Sequence, residues 1–116
     1  MSASDEKAWI QQYAEWTDPH PRLGSDTLVS MFNANVAATP QRDATWFMGK
    51  ALTHAQLNEK VTRLANALAG LGVRRGDRVA LALPNCPQHV VALTAVLRLG
   101  ATVVEHNPLY TCLLYT

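Results

Sequence analysis

LGVRRGDRVALALPNCPQHVVALTAVLRLGATVVEHNPLYT, residues 71–111, alternates stop signals with short apolar runs. Gly72 closes whatever precedes it, and residues 78–83 then form an apolar run opened by Arg78. Pro84-Asn85 turns the chain, and Pro87 is placed for the first turn of a helix, where its missing amide costs nothing. Gly100 ends that helix, residues 101–104 form a second apolar run, and Asn107-Pro108 turns again. Strand, helix, strand with short connections is the order of an α/β fold with parallel strands. No polar residue interrupts the first run after Arg78, as expected where both faces of a sheet are covered.

Upstream, Thr53 and Gln56 have the spacing of a reciprocal N-terminal cap. Leu57, Val61, Leu64, Leu68 and Leu71 follow at steps of three and four, which gives one apolar stripe on a helix closed by Gly72. Before it, residues 44–48 read as a strand, Gly49-Lys50 as a turn and Ala51-Leu52 as the returning strand, forming a hairpin beside the main sheet. A further helix is expected from a Ser25-Asp26 cap, with Leu28, Val29, Phe32 and Val36 inward, ending before Pro40. Ser4 can cap an N-terminal helix whose Trp9, Ile10, Tyr13 and Trp16 share one side and pack on the body of the protein; residues 18–21, DPHP, end it. With Lys7 its only basic residue, that helix is a poor membrane-surface element. The expected organisation is a helix and loop over 1–24, an α/β unit over 25–111 and a distinct tail over 112–116.

A length of 116 residues, 48% hydrophobic and 16% charged, suits one small globular unit. A net charge of +1 argues against a nucleic-acid surface, which concentrates basic residues. Two cysteines, Cys86 and Cys112, make no disulfide framework. The N-terminus lacks the order of a secretory leader, and the longest apolar region, 90–104, is interrupted by Arg98 and Gly100. The expected location is cytoplasmic.

Motifs that could carry chemistry fail on context. Gly70, Gly72 and Gly76 imitate a dinucleotide loop, but a helix precedes them and a strand follows, the reverse of what phosphate binding at a helix N-terminus needs. Cys86 and His89 have half the spacing of a zinc site with no second pair, so His89 reads as an ordinary helix residue. His20, His54, His89 and His106 are scattered, and Arg74, Arg75 and Arg78 beside Asp77 read as a solvated loop. No serine sits in a nucleophile elbow, and Lys7, Lys50 and Lys60 lie in no phosphate loop. No catalytic, cofactor-binding or metal-ligating residue is assigned.

Leu52-Thr53-His54-Ala55-Gln56-Leu57 resembles the first core motif of the adenylate-forming, AMP-binding superfamily, with His54 where tyrosine is usual and Gln56 where glutamate is usual. Residues 76–81 with Leu83-Pro84-Asn85 resemble the strand and turn that follow there. Residues 97–104, LRLGATVV, resemble the second core motif, with Leu99 in place of the common alanine. Residues 107–111, NPLYT, are similar to the wording of long-chain fatty acid–CoA ligases, and Glu105-His106 to a bacterial long-chain subgroup. The resemblance runs from about Trp9 to Thr111. It implies the N-terminal part of the large domain of an enzyme that uses ATP, Mg2+ and coenzyme A to activate a fatty acid. Partners implied are the fatty acid, coenzyme A, the rest of the same chain and peripheral membrane contact of the parent enzyme. The catalytic motifs of such enzymes lie beyond the matching region, so the fragment is expected to be inactive and to bind none of these groups productively.

After Thr111 the family pattern is replaced by Cys112-Leu113-Leu114-Tyr115-Thr116, a string encoded by a common sequencing-library transposon end and expected to be non-native. Two alternatives remain open: a fragment of a medium-chain or aryl-acid CoA ligase, and a non-catalytic interaction module derived from the same fold.

Overall fold

The computed structural model describes residues 10–18 and 20–110, and the segment that decides the fold forms a β–α–β unit within it. Among the described residues a short 3-10 turn, Ile10–Gln12, is followed by seven elements: α1 (Leu28–Ala38), β1 (Asp43–Phe47), β2 (Lys50–Thr53), α2 (His54–Gly70), β3 (Arg78–Leu81), α3 (Pro87–Arg98) and β4 (Thr102–Glu105). β3 and β4 pair in parallel, with Arg78 opposite Thr102 and Leu81 opposite Glu105. β1 and β2 form a separate antiparallel hairpin.

The caps explain the helix limits. Thr53 Oγ1 accepts from the Gln56 amide at 3.2 Å while the Thr53 amide donates to Gln56 Oε1 at 3.0 Å, so the expected reciprocal cap of α2 is present. α1 has the same device one or two residues later than expected. Its cap is Thr27, not Ser25-Asp26, because Ser30 stands three residues on and returns the bond. Both α2 and α3 end in the same hydrogen-bonded motif. The Gly72 amide donates to Ala69 and that of Val73 to Leu68; the Gly100 amide donates to Leu97 and that of Ala101 to Val96. Gly72 and Gly100 take positive φ, +100° and +73°, which a side chain would resist.

Further expectations need correction. The hairpin turns at Met48-Gly49, with φ of 47° and 79°, rather than at Gly49-Lys50, so Lys50 pairs with Phe47 as the first residue of β2. Two positive φ values match the twist of a two-residue hairpin and decide the register. Near the N-terminus, the described residues hold only a short 3-10 turn at Ile10–Gln12, and Trp16 is 88% exposed rather than packed. Ser4 and Trp9 of that expected helix, and Pro19, lie outside the described residues. Leu28 is exposed although placed inward by periodicity. Leu71 is 83% exposed because α2 has already ended there and the residue serves as its C-cap.

The core lies between α2 and α3. Val61, Ala65 and Ala95 are its buried centre, flanked by Phe32, Leu64, Leu68, Val91 and Leu99. Small side chains at Ala65 and Ala95 let the two helices approach closely. α3 covers one face of the parallel pair: Leu81 is buried and Val79 half-buried, whereas Ala80 is exposed. The expectation that both faces are covered does not hold among the described residues.

Arg98 ties the three helices together. Its guanidinium donates to Thr62 Oγ1, Asn33 Oδ1 and Asn58 Oδ1, each at 2.9 Å, and lies 5.6 Å from the centre of the Phe32 ring.

Candidate functional site

In an open α/β sheet the carboxyl ends of parallel strands are where ligands gather, since the loops there can vary without disturbing the ladder. A cleft of about 660 Å3 occupies that position here. Leu83, Pro84 and Asn85 after β3 form one wall, and His106 to Tyr110 after β4 form the other. The His106 amide donates to the Leu81 carbonyl at 2.9 Å, which carries the pairing of the strands one residue past β4. Asn107 then builds its own turn: Oδ1 accepts from the Leu109 amide at 2.9 Å, and its carbonyl from the Tyr110 amide at 3.0 Å.

His89, in the first turn of α3, reaches across this cleft to the last residue of β4. Its Nε2 lies 3.0 Å from both carboxylate oxygens of Glu105. The histidine side chain is 21% exposed and the carboxylate 53%. The pair orients an imidazole and locks the start of α3 to the end of β4. Chemically, the cleft offers a fixed imidazole–carboxylate pair, a second histidine at 106 and the Asn107 turn. Sequence reading treated His89 as an ordinary helix residue and the histidines as scattered. The structure brings His89, Glu105 and His106 to one cleft. Their neighbourhood is a consequence of topology: the helix after β3 starts at the same sheet edge where the parallel β4 ends.

Other candidates are resolved as scaffold. Arg74 Nη1 donates to the carbonyls of Ala69 and Val73, at 2.7 and 3.0 Å, and so caps the end of α2. The Arg74 amide donates to Asp77 Oδ2 at 2.7 Å, the Gly76 amide to Gly100 at 3.0 Å and the Thr102 amide to Asp77 at 2.7 Å. The arginine-rich loop therefore stitches α2 to the parallel pair. His54 Nδ1 and Thr45 Oγ1 are buried without a hydrogen-bond partner among the described residues. Cys86 is a free, half-buried thiol at the N-cap of α3, and Cys112 lies outside the described residues. Among the described residues no group of three His, Cys, Asp or Glu side chains is arranged to hold a metal ion. Among the described residues no helix is long and apolar enough to cross a membrane.

A family model described as AMP-binding enzyme matches residues 32–112. The chain is 39% identical over 106 residues to the long-chain-fatty-acid–CoA ligase of Bacillus subtilis strain 168, covering 91% of this chain and 19% of that protein. To the long-chain-fatty-acid–CoA ligase of Escherichia coli O6:H1 it is 40% identical over 109 residues, covering 90% of this chain and 19% of that one. The fatty acyl CoA synthetase of Mycobacterium tuberculosis superposes with a TM-score of 0.67 and 29% identity, over 72% of this chain and 17% of that one. The chain thus spans 19% of the length of these curated relatives.

Proposed function

This chain belongs to the AMP-binding enzyme family, and we propose that it is the N-terminal portion of a long-chain fatty acid–CoA ligase. The observation that carries the reading is an identity of 39% and 40% to two bacterial enzymes of that name across nine-tenths of the chain. The parent reaction runs in two steps. A fatty carboxylate oxygen attacks the α-phosphorus of ATP and pyrophosphate leaves, giving the acyl-adenylate. The thiol of coenzyme A, losing its proton, then attacks the acyl carbon, and AMP leaves. A carboxylate is a poor electrophile, and joining it to AMP divides one difficult displacement into two easier ones.

The chain's own part in this is scaffolding. α3 packs on the parallel pair, α2 backs α3, and the pair presents the cleft at its carboxyl ends. We assign residues 25–111 to the start of the large domain, 1–24 to a preceding segment and 112–116 to a non-native tail. By this reading the protein is cytoplasmic, serves lipid metabolism, and lacks activity as the 116-residue chain. Mg2+ would accompany ATP on residues outside this chain. Pyrophosphate exchange into ATP, driven by medium-chain, long-chain and aromatic acids, tests the reading. The polypeptide of the complete reading frame should exchange with long-chain acids and the 116-residue chain with none. Preference for aromatic acids would move the parent to an aryl-acid ligase. Absence of exchange by the complete polypeptide would favour a non-catalytic interaction module.

A further inference from the structure

We draw no further inference here: the strongest candidate, the apolar-floored groove between β2, α2 and α3 with Lys60 and Arg63 at its rim, is an open face of a chain that spans 19% of its curated relatives, and nothing in the structure shows what covers it.

Discussion

Val61→Ala is the sharpest probe of how this fold is held. Val61 is fully buried, packed with Ala65 and Ala95 where α2 meets α3. The substitution removes two methyl groups. Transfer alone costs about 1.6 kcal/mol at roughly 0.8 kcal/mol per buried carbon. A cavity term is added because Ala65 and Ala95 are too small to collapse into the space, bringing the loss to about 2–3 kcal/mol. For a chain of 116 residues that is a sizeable part of a total stability on the order of 5–15 kcal/mol. Urea titration followed by far-ultraviolet circular dichroism should show the midpoint falling by about 1–2 M, given the usual dependence on denaturant. Leu71→Ala is the matched control. Leu71 belongs to the same sequence stripe yet is 83% exposed, so its truncation should cost less than about 0.5 kcal/mol. A midpoint shift under about 0.3 M for Val61→Ala, or equal losses at the two positions, would refute the placement of the core.

Three other substitutions probe the remaining devices. Arg98→Met removes three hydrogen bonds and the contact with Phe32, and should cost about 2 kcal/mol, with amide hydrogen exchange accelerated in α1 before α2. Met48→Asn puts a residue suited to the left-handed region at a φ of 47°, and should raise the thermal midpoint through a gain of up to about 1 kcal/mol. Gly100→Ala should cost about 1–2 kcal/mol in the same titration, from its φ of +73° and a new Cβ only 3.0 Å from Arg75 Cγ.

His89 and Glu105 show where one-dimensional reading reaches its limit. Each residue alone is unremarkable: a polar position in the first helical turn, and the acidic end of an apolar strand. Sixteen residues separate them, and only the parallel return of β4 beside β3 brings them to 3.0 Å. The pairing was legible in principle, because a strand–helix–strand unit places the helix start and the second strand's end on one sheet edge. No local signal marks it. Ala65 was missed for a different reason. Periodicity selects large apolar residues, and an alanine at a tight helix crossing carries no such mark.

Sequence by itself determined the order of the elements, the cap of α2 at Thr53-Gln56, the stops at Gly72 and Gly100, and the family resemblance. These are local properties, set by hydrogen bonds and φ preferences within a few residues. Tertiary structure decided the rest: which members of an apolar stripe are buried, that Arg98 joins three helices, that α3 covers one face of the parallel pair, and that His89 meets Glu105. Those outcomes depend on contacts between residues far apart in the chain. Burial and pairing at such a distance are set by how the elements pack, not by the identity of any single residue.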